Sequence, residues 1–145
     1  MSYFDSSYIA KFYLDEPESE AVRRLAESLG QVRCAVIGHI EVAAVFHRKF
    51  REGAFDAGAF REVTAQFDDD CEQGLWTWLP LTTALAARTA AAFTRLPRPV
   101  FLRAADALHL ICAQEHGLRE IYTNDRHMSA AARHFRLKPM AVAPG

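Results

Sequence analysis

Apolar residues along this chain fall into short runs separated by stretches at helical spacing, and each change of period marks a change of element. Ser2 to Phe4 is a β-prone run reaching Asp5, and Ser6 and Ser7 open a helix carrying Ile9, Phe12 and Tyr13. Asp15-Glu16-Pro17 breaks that helix, and Ala21, Val22, Leu25 and Leu29 then repeat at helical spacing up to a Gly30 stop. Val32 to Ala35 is the next strand, followed by a helix with Ile37, Ile40, Ala44, Val45 and Phe46 that ends near Gly53. A more polar helix over residues 55–73, with Asp56 as cap, leads to an aromatic-rich strand from Leu75 to Leu79.

Thr82 caps an alanine-rich helix predicted to run to about Leu96, where Pro97-Arg98-Pro99 forbids further regular helix. A helix from near Arg103 carries Leu108, Leu110, Ile111 and Ala113 to a Gly117 stop. Glu120 to Thr123 then reads as a strand, Arg126 to Phe135 as a helix and Pro139 to Val142 as a last strand. Five strands separated by helices require crossover connections, hence an α/β fold with a largely parallel sheet covered on both faces. In such sheets functional groups gather beyond the carboxyl ends of strands, where the strand order reverses.

The chain of 145 residues has the size of one domain, so residues 1–145 are read as a single unit. Seventeen Lys and Arg against eighteen Asp and Glu give a net charge of -1, so the whole-molecule field does not collect polyanions and any nucleic-acid contact is local. Cys34, Cys71 and Cys112 are odd in number and far apart, which argues against both a disulfide framework and a zinc site. A first strand at Ser2 leaves no room for a leader peptide, and no apolar run is long enough to span a bilayer, so a soluble, cytoplasmic protein is expected.

Four acids stand where an acid is not expected. Asp5 and Asp125 lie at or just past the carboxyl ends of predicted strands. Glu41 falls four residues after Ile37 and four before Val45, and Asp106 falls between Leu102 and Leu110, so both interrupt apolar helical rows. A carboxylate on an inward face needs a cation, a donor or a water-filled cleft, and hard oxygen ligands without a His and Cys cluster favour Mg2+ or Mn2+ over zinc. Each acid also has a plain structural role to weigh: N-capping for Asp5 and Asp125, a favourable first-turn charge for Asp106, and an ion pair with an Arg for Glu41.

His109, three residues after Asp106, shares its side of the helix and either orients the acid or packs at the edge of the site. Asp68-Asp69-Asp70 point about 100° apart on a helix and cannot converge on one ion, so they read as solvated surface. Arg95, Arg98 and Arg103 around the proline loop, and Arg126 after Asp125, are candidates for holding an RNA backbone. Trp76 and Trp78 read as packing or interface residues.

Taken in order, Tyr3-Phe4-Asp5-Ser6-Ser7, His39-Ile40-Glu41-Val42, Arg103-Ala104-Ala105-Asp106-Ala107-Leu108-His109-Leu110 and Tyr122-Thr123-Asn124-Asp125-Arg126 resemble the PIN-domain ribonucleases, and most closely the VapC toxins of toxin–antitoxin pairs. The resemblance runs end to end. It implies a three-layer α/β/α sandwich with a five-stranded parallel sheet ordered 3-2-1-4-5. It further implies Mg2+ or Mn2+ held mainly by Asp5, Glu41 and Asp106, with Asp125 completing the acidic pocket and Ser7 or Thr123 supporting it by hydrogen bonding. An RNA substrate, a cognate antitoxin and a homodimer are the partners it implies, with no membrane. One departure is that many relatives have a Ser or Thr leading into the Glu helix, where this chain has Val36-Ile37-Gly38.

Two other functions compete with a ribonuclease toxin. A non-catalytic PIN-like binding or regulatory module suits the near-neutral charge. A phosphatase with Asp5 as nucleophile would want a second Asp two residues later, where Ser7 stands.

Overall fold

The computed structural model describes residues 2–143; Met1, Pro144 and Gly145, the ends of the single-domain reading, lie outside the described residues. Five strands, β1 (Ser2–Phe4), β2 (Val32–Ala35), β3 (Trp76–Leu79), β4 (Glu120–Tyr122) and β5 (Lys138–Met140), form one parallel sheet in the order β3-β2-β1-β4-β5. This is the order that the resemblance implies. The chain first winds outward from β1 through β2 to β3, then returns across the sheet to place β4 on the other side of β1. Tyr3 pairs with Arg33 on one flank and with Ile121 on the other. The carboxyl ends of β1 and β4 are therefore neighbours at the point where the winding reverses.

Among the described residues seven helices cover the sheet: α1 (Ser6–Tyr13), α2 (Ser19–Leu29), α3 (Ile37–Arg51), α4 (Ala57–Glu72), α5 (Thr83–Ala92), α6 (Ala104–Glu115) and α7 (Arg126–Ala131). Helices α1 to α4 pack on one another, and α5 to α7 do likewise, with α6 lying against β2. Central strand β1 is buried along its whole length, which is why its sequence shows no polar alternation. Helix α6 is buried without interruption from Asp106 to Ala113, so its polar residues Asp106 and His109 lie inside the molecule.

Three boundaries depart from the sequence reading. Helix α5 stops at Ala92 instead of near Leu96, because Phe93, Thr94 and Arg95 turn back onto Ala90, Ala91 and Ala92 in three-residue bonds before Pro97. The segment from Arg126 is α-helical only to Ala131 and tightens into a 3-10 turn over Ala132–Phe135, which ends with Arg136 at φ 59°. Strand β5 runs from Lys138 to Met140 instead of from Pro139 to Val142, and accommodates Pro139 because it is an edge strand whose outer side has no partner among the described residues. Asp70, read as solvated surface, is half-buried and accepts the Tyr13 hydroxyl at 2.6 Å, while Tyr13 in turn accepts from Trp76 Nε1. Cys34 and Cys112 are buried, Cys71 is half-buried, and all three are free thiols.

Candidate active site

Asp5 directly follows β1 and is 3% exposed. Its two carboxylate oxygens have different tasks. Oδ1 accepts from the Tyr8 amide at 2.9 Å and caps α1, while Oδ2 accepts from the Thr123 hydroxyl at 2.5 Å. Thr123, just past β4 on the neighbouring strand, also accepts from the Asp125 amide at 3.0 Å, so one side chain couples both strand-end aspartates. Burial pushes the Asp5 carboxyl up to about 6 against the pull of the Thr123 and Tyr8 donors, and the nearby Asp125 adds to the rise.

Asp125 divides its oxygens in the same way: Oδ1 caps α7 through the Met128 amide at 2.8 Å, and Oδ2 meets the Arg103 guanidinium at 3.2 Å. Capping and a place in the site are thus both realised, by separate atoms. Arg103 also donates through Nε to Asp106 at 3.2 Å, and the Asp106 carboxylate accepts from the Arg103 amide at 3.4 Å, which satisfies one free amide at the start of α6. The guanidinium pKa is raised, first by its bond to Asp106 and then by the charges of Asp106, Asp125 and Glu41.

Glu41 stands slightly differently from the sequence reading. The buried row of α3 is Gly38, Val42 and Phe46, and the row of Ile37, Glu41 and Val45 runs half-buried beside it. That edge lets the Glu41 carboxylate remain 32% exposed while Oε1 accepts from His109 Nε2 at 2.6 Å. Its hydrogen-bond partner is this histidine of α6, and no arginine pairs with it among the described residues. The Val36-Ile37-Gly38 lead-in has its own logic: a Cβ at position 38 would collide with Cys34 Sγ, so only glycine lets α3 sit this close to β2.

Asp5, Asp106 and Asp125 are therefore linked to one another through Thr123 and Arg103, and Glu41 with His109 forms a second pair whose charge still bears on Arg103. Ser7 joins neither. Its side chain is exposed and lines a separate basic depression with Lys11, Arg48 and Lys49, so the side-chain hydrogen bond to Asp5 comes from Thr123, beside the Tyr8 amide. Among the arginines, only Arg103 engages the acids, while Arg98 and Arg126 are exposed and form no ion pair among the described residues. Arg95 faces Ile111 and Gln114 instead, about 12 Å along α6 from Asp106 by helix rise. Tyr3 was not singled out by sequence, yet its hydroxyl lies 2.6 Å from His109 Nδ1. The signal was available, since residues two apart on a strand share a side and Tyr3 precedes Asp5 by two.

The oxygen donors suit a hard divalent cation, and four carboxylates facing a single guanidinium leave an excess of negative charge to be offset. As the side chains stand, no three or more His, Cys, Asp or Glu among the described residues are close enough together to hold an ion. Asp106 and Asp125 are turned onto Arg103.

Residues 2–134 match the PIN domain. The chain belongs to the PIN-domain family. No curated protein sequence matches it. Among solved structures, this PIN domain is similar to VapC20 of Mycobacterium tuberculosis, described as a sarcin-ricin loop cleaving toxin, with a TM-score of 0.70 at 16% identity over 90% of this chain and 95% of that one. It is also similar to FitAcB from Neisseria gonorrhoeae, with a TM-score of 0.67 at 18% identity over 97% and 96%. A toxin–antitoxin complex from Klebsiella pneumoniae matches with a TM-score of 0.63 at 16% identity over 100% and 98%. At these identities the likeness is one of fold.

Proposed function

We propose that this PIN domain is a Mg2+- or Mn2+-dependent endoribonuclease and the toxin of a toxin–antitoxin pair. The observation that carries the reading is the gathering of Asp5, Glu41, Asp106 and Asp125 at the strand-reversal point of the sheet, the three aspartates linked by Thr123 and Arg103 and Glu41 held by His109. Family membership and the fold shared with a cleaving toxin and with a toxin–antitoxin complex support it. Asp5, Glu41 and Asp106 would be the principal ligands of the cation, with Asp125 completing the acidic pocket. The cation would activate water and offset charge on the phosphoryl oxygens.

The protein's own groups do the positioning. Thr123 holds Asp5 by its inner oxygen, and His109 holds Glu41. Arg126 and Arg98, exposed and free of ion pairs among the described residues, are the candidates for the RNA backbone, and Arg103 joins them once it leaves the acids. For the homodimer, support comes from an apolar groove of about 390 Å3 lined by Ile37, Leu81, Phe93 and Leu108, next to the amino end of α6. Ile40 is 70% exposed nearby in sequence to Ile37. The antitoxin rests on the fold likeness. No helix among the described residues is long and apolar enough to cross a membrane.

Asp5→Asn or Asp106→Asn should abolish Mg2+- or Mn2+-dependent cleavage of RNA by the purified protein while leaving its circular dichroism spectrum intact. Full cleavage by both variants sinks the proposal. The non-catalytic module draws support from the Arg103 clasp on Asp106 and Asp125, and calorimetry distinguishes it by finding no Mn2+ binding at all. A phosphatase using Asp5 is disfavoured, because the second Asp it would want two residues later is Ser7, whose side chain is exposed and turned to a separate depression.

A further inference from the structure

Glu41 is held by a chain of hydrogen bonds that begins at the end of β2, beside the sheet's central strand. The Ala35 amide donates to the Tyr3 hydroxyl oxygen at 2.9 Å, and Tyr3 lies 2.6 Å from Nδ1 of His109, whose Nε2 lies 2.6 Å from Oε1 of Glu41. Tyr3 is fully buried and His109 is 2% exposed, so the contact between the Tyr3 hydroxyl and His109 Nδ1 is shielded from water. The donors and acceptors can be assigned by counting. The tyrosine oxygen already accepts from Ala35, and its single proton goes to the near lone pair, Nδ1. Cys34 Sγ, the other neighbour of that nitrogen, is a weak partner at 3.9 Å. A neutral ring with Nδ1 accepting carries its hydrogen on Nε2, facing the carboxylate.

We propose that Tyr3 and His109 are positioning residues: Tyr3 fixes the His109 tautomer, and His109 fixes the Glu41 carboxylate at the edge of the acidic pocket. The proposal rests on the metal-dependent reading of that pocket and names two residues that serve it without touching the substrate. Without the Tyr3 hydroxyl the ring is free to move its hydrogen to Nδ1. Nε2 would then present a lone pair to Glu41, and the carboxylate would turn away. Glu41 Oε2 has no hydrogen bond among the described residues, so the relay grips one oxygen and leaves the other for a ligand. Outer groups of this kind set the orientation of metal-binding side chains. Local sequence does not show the chain, because its members come from β1, β2, α3 and α6.

Two measurements on the full chain test the idea. In the metal-free protein, long-range 1H–15N correlation identifies the protonated nitrogen of the neutral His109 ring. Nε2–H is expected in the wild type, with the Nδ1–H form gaining population in Tyr3→Phe. A wild-type Nδ1–H ring, or an unchanged Tyr3→Phe ring, overturns the proposal. In Mn2+ titrations, Tyr3→Phe and His109→Leu should raise Kd about 10- to 100-fold. His109→Gln, which keeps a donor, should recover part of the loss, and Tyr3→Phe should add nothing in a Glu41→Gln background. Equal weakening in that background would mean that Tyr3 acts on the whole structure and not through Glu41. Should Tyr3→Phe fail to fold for want of an acceptor for Ala35, the His109→Leu and His109→Gln pair decides, with equal Kd values for the two variants overturning the proposal. A wild type that binds no Mn2+ refutes the metal reading of the site, and the tautomer measurement then decides the relay by itself.

Discussion

Asp5 stores an electrostatic cost at the centre of the site. Its carboxyl is raised from 3.8 to about 6, chiefly by burial. A group that binds its proton more tightly when folded contributes stability below its unfolded pKa, and that contribution is lost as pH rises through the folded value. Here the loss falls between 3.8 and about 6 and amounts to about 3 kcal/mol as an order of magnitude. Asp5→Asn does not titrate, so the stability of the wild type relative to this variant should fall by up to about 3 kcal/mol from about pH 4 to about pH 7 in urea denaturation. A pH-independent difference would mean that the carboxyl is not desolvated. Arg103 supplies part of the compensation for the neighbouring acids, but it is largely exposed and its ion pairs are screened. Arg103→Gln should leave the urea midpoint little changed while tightening Mn2+ binding in calorimetry, since the competing cation is gone. Weaker Mn2+ binding would show instead that Arg103 organises the acids.

Among the elements, α3 and α6 matter most, because they carry Glu41 and Asp106 to the strand ends. Their approach depends on side chains too small to keep them apart. At Gly38 any side chain runs into Cys34 Sγ with its first carbon, although alanine would otherwise favour the helix. Gly38→Ala should therefore cost about 1–3 kcal/mol in urea denaturation, as overpacked cores do, with much of the loss recovered in a Cys34→Ala, Gly38→Ala double variant. Equal stability of Gly38→Ala and the wild type would contradict the close contact. The periodicity of α3 predicted a helix correctly but misjudged its inward row, since Ile37, Glu41 and Val45 are as regularly spaced as Gly38, Val42 and Phe46. A glycine does not register as apolar in such a pattern, and only the neighbouring strand reveals that its row is the buried one.

For the molecule as a whole, the winding order creates a single crevice and leaves an apolar face beside it. Leu81 and Phe93 are exposed large hydrophobic residues lining the groove above α6, and Phe101 and Ile40 are exposed as well. A homodimer that covers this face would be disrupted by a charge in the groove. Phe93→Asp should sediment as a monomer in analytical ultracentrifugation under conditions where the wild type sediments as a dimer, and a wild type that is itself monomeric at micromolar concentration refutes the dimer.

The sequence by itself determined the alternation of strands and helices, the parallel sheet and the two aspartates at strand ends, because propensity, periodicity and capping act over a few neighbouring residues. The order 3-2-1-4-5 entered through family resemblance, since strand pairing is set by contacts between distant segments. Only the tertiary structure decided who meets whom in the site. Thr123 reaches Asp5 across 118 positions, and His109 reaches Glu41 across 68. Nor did local pattern separate Ser7, which turns to solvent, from Thr123, which is buried against Asp5, for both are hydroxyls close to a strand-end aspartate. The difference is made by the register of β4 beside β1, a long-range pairing that carries no signature in either strand alone.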